Sequence, residues 1–294
     1  MKDMNIRSEE IKYNKESVCA VTVFYYADQA AIDNARFLAD LVGQAVVVVN
    51  GMCESDHKLE EKFLNLNIKL IYNSQNMGIA YALNQGVQYA MQNGFDFVLT
   101  MDQDSDLYSD SVEQLLRVLD QHRELASVCC NYIGTHDNLD FIEKDTVITS
   151  GNLTYTKAIE AVNGFTEKLF IDYVDLDFSL KLREMGYRIA VIPTARIKHK
   201  IGDIKERKIF GKTIAISHHT PIRYYYMARN YRYFIHRFRK TFPRVCIKNT
   251  IVYMYGSVLA LLFESDRVQV YKMKMRGRRD ARRDVYGAYQ EYCG

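Results

Sequence analysis

The sequence predicts an α/β protein, with a mostly parallel sheet covered by helices on both faces and a helical, basic extension behind it. Apolar, β-branched runs of strand length alternate with helix-like stretches through the first hundred residues. Each run ends in short polar or turn-forming residues. Beyond Pro221 the alternation gives way to long segments rich in Tyr, Arg and apolar side chains.

Taken in order, residues 18–26 (VCAVTVFYY) read as a buried strand and 29–41 as a helix. The run 45–49 (AVVVV) is a second buried strand, closed by the turn pair Asn50-Gly51. A helix near 56–64, a strand at 68–72 and a helix at 78–93 follow. The strand 95–101 (FDFVLTM) runs directly into Asp102-Gln103-Asp104. Strands joined through helices are parallel and buried on both faces. Ligands of such sheets bind at the carboxyl ends of the strands. Asn50 and Asp102 fall at such ends, so both are expected at one rim. After residue 150 the pattern loosens to a helix at 175–185 closed by Gly186, a strand at 188–192 before Pro193, and helices from Pro221 onward.

The chain is 48% hydrophobic and 26% charged, which argues against disorder. Its six cysteines form no CxxC pair and no zinc spacing, and residues 1–17 are polar, so reduced thiols in a cytoplasmic protein are expected. The net charge of +3 is unevenly spread. Between Arg237 and Arg283 there are 13 Lys/Arg against 3 Asp/Glu, which leaves the remainder acidic. A basic tail of this kind suits an anionic partner. No nucleic-acid motif accompanies it, so no nucleic acid is expected.

Several segments carry residue types with chemical uses. Asp102 and Asp104, two apart after a hydrophobic strand, can present oxygens to Mg²⁺ or Mn²⁺, which would bridge to a diphosphate; they can equally be solvated loop acids. Asn76, Gly78 and Asn84 open a helix whose backbone N–H groups suit phosphate or ribose oxygens, or mark a plain helix start. Asp172, Asp175 and Asp177 lie on or just before a helix, where one carboxylate can serve as a general base and all can serve as caps. His199 follows a strand and either packs or contributes to a metal site. Arg229, behind Tyr224 to Tyr226, either forks onto a phosphate or lies on a solvated basic face.

Together these segments resemble glycosyltransferase family 2, and within it the bacterial rhamnosyltransferases that use a dTDP-rhamnose donor. NMGIAYALNQG at 76–86 is similar to that group's N-x-G-x-A-x-A-x-N-x-G segment, and LTMDQDS at 99–105 to its strand-ending DxDS. Residues 171–181 resemble its acidic motif, His199 to Asp203 its late histidine segment, and 225–230 its YY-x-x-RN helix. The resemblance implies a GT-A type, Rossmann-like fold. It also implies a divalent metal on Asp102, Asp104 and His199, with Asp175 as base and Asp172 and Asp177 on the acceptor side. Donor contacts are then expected from Asn50, Asn76, Gly78, Asn84, Asp102, Gln103 and Arg229. Two positions depart from the family: Val49 stands where an Asp is usual, and Lys181 where an Arg is usual.

The implied organisation is a polar segment 1–17, a catalytic domain 18–220 (nucleotide-sugar half 18–105, acceptor half 106–220) and a helical region 221–294. The implied activity is inverting, metal-dependent transfer of L-rhamnose from dTDP-β-L-rhamnose to a lipid-linked saccharide of a bacterial surface polysaccharide. The alternatives are a UDP-hexose donor on the same fold, or a non-catalytic relative that binds nucleotide or membrane. The apolar stretch 249–263, flanked by basic residues, is shorter than a spanning helix. It is expected either to lie in the interface of an anionic membrane, making the protein peripheral at the inner face, or to pack on the fold.

Overall fold

The structure, a computed structural model, describes residues 11–51, 58–132, 134, 139–198, 204–209 and 212–290. Four parallel strands build the first half of the sheet: β1 (Val18–Phe24), β2 (Gln44–Asn50), β3 (Ile68–Asn73) and β4 (Phe97–Asp102), in the order β3-β2-β1-β4. All seven residues of β1 are buried because helices cover both faces. On one face Phe24, Val47 and Val49 pack with Ala31, Ile32 and Ala35 of helix α1 (Gln29–Leu41) and with Leu59 of the short α2 (Leu59–Lys62). On the other lies α3 (Ile79–Gln92), where a Cβ on Gly86 would stand 2.3 Å from Val21 Cγ1. A hydrogen at this position lets the helix lie directly on the strand. The helix expected at 56–64 is therefore one turn within the described residues, because 52–57 fall outside them.

Past β4 the sheet mixes directions. The helix α4 (Ser111–Gln121) precedes β6 (Leu125–Asn131), and β5 (Asp106–Leu107) and β7 (Ile142–Glu143) are two-residue strands. The strand β8 (Asn152–Tyr155) inserts between β4 and β6, antiparallel to both. Ser127, Asn152 and Thr154 hydrogen-bond one another at 2.7 Å in its buried interior. This strand is absent from the sequence reading. After α5 (Thr156–Ala161) and α6 (Val174–Glu184), β9 (Arg188–Lys198) pairs parallel to β6. It runs past the expected end at 192, because the register jumps between Ile192 and Arg196 and Pro193 falls in that bulge, where no ladder N–H is needed.

The chain forms two compact units, one of Met1–Glu167 with Val174–His199, the other of Lys168–Tyr173 with Lys200–Gly294. The second holds the antiparallel pair β10 (Ile204–Ile209) and β11 (Lys212–Ser217), then α7 (Pro221–Phe238), α8 (Pro243–Phe263) and α9 (Arg267–Arg282). Pro221 and Pro243 sit in the first turns, where a missing N–H costs nothing. Tyr224, Tyr225 and Tyr226 are all buried. Gly277 of α9 approaches α7 so closely that a Cβ would meet the Tyr225 carbonyl at 2.3 Å.

The apolar stretch 249–263 is part of α8, whose 21 residues extend about 31 Å at the usual helical rise, close to a bilayer core. The helix is longer than the apolar stretch because the six residues before Asn249 join it, and they include Arg244 and Lys248. One face of α8 packs inside the unit: Tyr253 stacks on Tyr231 at 3.9 Å, and Ala260 clusters with Tyr224 and Val270. The opposite face exposes Ile251, Val252, Tyr255, Val258 and Leu262.

Gly86→Ala is expected to destabilise the protein by about 1–3 kcal/mol through overpacking on Val21. Adding Val21→Ala should recover part of that loss in urea melts. Independent, additive effects would show that the two residues do not press on each other.

Candidate active site

Parallel register brings the carboxyl ends of four strands to one rim, with Asn50 opposite Asn73 and Val23 opposite Asp102. The Asn50 side chain is 3% exposed and fully bonded. Its Nδ2 donates to Asn76 Oδ1 (3.1 Å) and the Gly78 carbonyl (3.2 Å). Its Oδ1 accepts from the Met77 N–H (2.9 Å) and Asn73 Nδ2 (3.2 Å). Asn50, expected to touch the donor, therefore holds the 76–78 loop in place. Within that loop Asn76 Oδ1 also accepts from the Gly78 N–H at 2.9 Å. Gly78 has φ 89° and ψ 158°, a conformation essentially reserved for glycine, and it aims the first turn of α3 at the rim.

Gln103 acts in the same way. Its amide accepts from the Tyr25 N–H (2.8 Å) and donates to the Tyr25 carbonyl (3.1 Å), extending β1 by one side-chain rung. The flanking carboxylates stay at the surface of the turn: Asp102 is half-buried and Asp104 exposed. The Asp102 N–H donates to Ser150 Oγ at 3.2 Å, and the Ser105 N–H closes the turn on the Asp102 carbonyl at 3.3 Å. Asn34 Nδ2 donates to the Gln103 and Ser105 carbonyls at 3.4 Å.

Asn84, also expected at the donor, lies one turn further along α3 and clamps a different loop. It accepts from the Phe165 N–H (2.8 Å) and donates to the Phe165 carbonyl (2.9 Å) and Glu167 Oε1 (2.8 Å). A Cβ on Gly164 would stand 2.5 Å from its Oδ1. Lys181, in place of the family arginine, donates to the Gly164 carbonyl at 2.6 Å. Asp177 is fully buried and accepts from Thr166 Oγ1 at 2.5 Å, so it serves this loop.

Asp175 is half-buried in the first turn of α6, where its Oδ1 accepts from the Leu176 N–H at 2.9 Å. The buried thiol of Cys129, at the end of β6, reports its position. Burial raises that thiol most, and the charges of Cys130, Asp102 and Asp175 raise it further. Asp102 and Asp175 thus act on the same buried atom. Tyr132 feels the same charges: burial first, then Cys129 and Asp175, push its phenol up to about 12, so it stays neutral. Cys129, Tyr132 and Ser150 stand in no motif; only their places in or beside β6 and β8 mark them.

In the second unit Arg229 has no exposed surface. It donates to the carbonyls of Gly287 (2.7 Å), Leu169 (2.9 Å) and Lys168 (3.3 Å), and its Nε donates to Asn230 Oδ1 (3.0 Å). The phosphate fork expected of it is thus corrected: burial seals the guanidinium among Tyr225, Tyr226 and Tyr286 and lowers its pKa. Asn230 Nδ2 reaches the carbonyls of Leu169 (2.8 Å), Ile171 (2.6 Å) and Asp172 (3.1 Å). Together they hold a loop in which Phe170, Asp172 and Tyr173 all have positive φ. Asp172 pairs with Arg223 at 3.2 Å, while its Oδ2 is buried without a hydrogen-bond partner. Burial raises its pKa, against the lowering by Arg223 and His219. His199 lies outside the described residues. Among the described residues no three His, Cys, Asp or Glu side chains cluster for a metal.

Residues 44–176 match the model of glycosyl transferase family 2. The dTDP-rhamnosyl transferase RfbF of Shigella flexneri is 26% identical over 264 residues, 82% of this chain and 87% of that protein. GalNAc-T7 with UDP, GalNAc and Mn²⁺ matches with a TM-score of 0.58 at 10% identity, over 91% of this chain and 56% of that one. TarS 1-349 of S. aureus in complex with UDP-GlcNAc matches with a TM-score of 0.50 at 14% identity, over 91% and 92% of the two chains. This chain spans 43% of the longer S. aureus TarS.

Asn50→Ala should cost about 2–4 kcal/mol in urea unfolding, because it strands the Met77 N–H and removes one of the Asn73 amide's hydrogen bonds. Gln103→Ala, at an exposed edge, should cost under about 1 kcal/mol. Equal costs would contradict the buried clamp at Asn50.

Proposed function

We propose that this chain, a glycosyltransferase with a GT-A type fold, transfers L-rhamnose from dTDP-β-L-rhamnose with inversion to a lipid-linked saccharide. The observation that supports this is the parallel register that ends β4 at Asp102 on the sheet's carboxyl rim, together with the charges of Asp102 and Asp175 that both act on the buried Cys129 thiol. The similarity to the dTDP-rhamnosyl transferase of Shigella flexneri supports the donor.

The mechanism follows from the residues. The Asp175 carboxylate takes the proton of the acceptor hydroxyl, and the oxygen attacks C1 from the face opposite the diphosphate. The C1–oxygen bond to the diphosphate breaks and its electron pair leaves with the nucleotide. Asp102 and Asp104, carboxylates two apart at the strand end, are the residues that would hold a hard divalent cation. When bound, Mg²⁺ or Mn²⁺ neutralises charge on the departing diphosphate. Tyr132, kept neutral by burial and by the charges of Cys129 and Asp175, retains its phenol hydrogen as a donor. The 76–78 loop, whose Met77 and Gly78 N–H groups are taken by Asn50 and Asn76, fixes the start of α3, and the first-turn N–H groups from Ile79 onward suit donor oxygens. The exposed face of α8, with Arg244 and Lys248 exposed on the same helix, supports peripheral contact with an anionic membrane, where such an acceptor resides.

Asp175→Asn is expected to lower kcat by about 10²–10⁴-fold and to leave the donor Kd within about twofold in calorimetry. Unchanged turnover would remove Asp175 from the mechanism. Asp104→Ala should weaken donor binding in Mn²⁺ to the level wild type shows in EDTA. If wild type binds dTDP-rhamnose equally with and without metal, the metal role fails; turnover of a UDP-hexose alone would replace the donor.

A further inference from the structure

The second unit contains a cavity of about 280 Å³ that the transfer reaction does not use. Tyr224 from α7, Tyr253, Gly256 and Ser257 from α8, and Lys274 from α9 line it. Lys274 is 5% exposed, and its ammonium donates only to Ser257 Oγ, at 2.6 Å. Two of its three N–H groups are left for a ligand, and no carboxylate pairs with it among the described residues. The Tyr224 and Tyr253 rings flank it at 5.3 and 5.1 Å. Burying a cation without a counter-ion is costly, so a cavity that keeps one is suited to an anion.

Two features decide what the anion is attached to. Gly256 and Val252 lie both on the cavity lining and on the exposed side of α8, beside Ile251, Tyr255 and Val258. Exposed Arg244, Lys248, Arg267 and Lys272 belong to the same two helices. We propose that this cavity binds the phosphate of an amphiphile on Lys274, with the ligand's apolar chain leaving past Gly256 along the exposed face of α8. It deepens the membrane contact proposed above by naming the group recognised. Binding is read without transfer, so its failure and that of the donor assignment are separate.

Burial, and Arg278 nearby, pull the Lys274 ammonium down to about 8. Below that pH Lys274 is charged at a cost to the fold, and stability is regained as pH rises from about 8 toward the ordinary lysine value. Lys274→Met should accordingly fold, with a higher Tm at pH 7 and a smaller gain at pH 9.5. Gly256→Leu is a second variant: a Cβ there meets nothing within 4 Å, and leucine favours helix over glycine.

The test titrates the full chain at pH 7 in a calorimeter with dihexanoyl phosphatidic acid, dihexanoyl phosphatidylcholine and inorganic phosphate. Wild type should bind phosphatidic acid at least tenfold more tightly than either other probe. Lys274→Met should lose the preference over phosphatidylcholine, and Gly256→Leu should weaken phosphatidic acid at least tenfold with an undiminished Tm. An unchanged preference in Lys274→Met, or unchanged affinity in Gly256→Leu, overturns the site. Inorganic phosphate binding as tightly as phosphatidic acid overturns the amphiphile and leaves a free-phosphate pocket.

Discussion

Asn50 is held by four hydrogen bonds at the end of β2, and the geometry of the rim depends on them. A buried primary amide has two donors and two acceptor positions, and each left open costs a desolvation penalty. With all four filled, the side chain ties β2 to β3 through Asn73 and to the 76–78 loop in a single arrangement. Gln103 and Asn84 repeat the device, each pairing with both the N–H and the carbonyl of one distant residue, Tyr25 and Phe165. Side-chain amides continue the backbone ladder where the strands have run out. The loops that carry Asp102, Asp104 and the start of α3 are thereby preorganised before any ligand arrives.

The second unit solves a harder case. Phe170, Asp172 and Tyr173 adopt positive φ, at about 1–3 kcal/mol for each such residue. Arg229 and Asn230 collect the carbonyls of Lys168, Leu169, Ile171 and Asp172, which over-determines the loop. The next residues in the chain are Val174 and Asp175. Buried guanidinium chemistry is therefore directed at the backbone, and the surrounding tyrosine rings shield it from water.

The first four strands were legible because long β-branched runs on a doubly covered sheet have few other solutions. The strand β8 was not, because two of its four residues are polar and pair with each other and Ser127 only once folded. The strand β9 outran its expected end because a bulge accommodates Pro193. Motif spacing singles out the loops at Asn76, Asp102 and Asp175, but it does not carry which of their side chains already hold the fold together. Asn50, Asn84, Gln103 and Arg229 have donors of the right kind for a phosphate or sugar, and backbone partners far along the chain already occupy them.

The sequence by itself determined the α/β class, the rim at which Asn50 and Asp102 meet and the family resemblance, since these follow from periodicity and local order. The tertiary structure alone decided which polar groups remain for a ligand, because a hydrogen bond to Phe165, Gly287 or Tyr25 leaves no trace in local sequence. It alone also put Cys129 and Tyr132 within the influence of the Asp175 charge and left Lys274 buried with no paired carboxylate among the described residues. Burial and charge pairing are properties of neighbours, and those neighbours come from elements many turns apart in the chain.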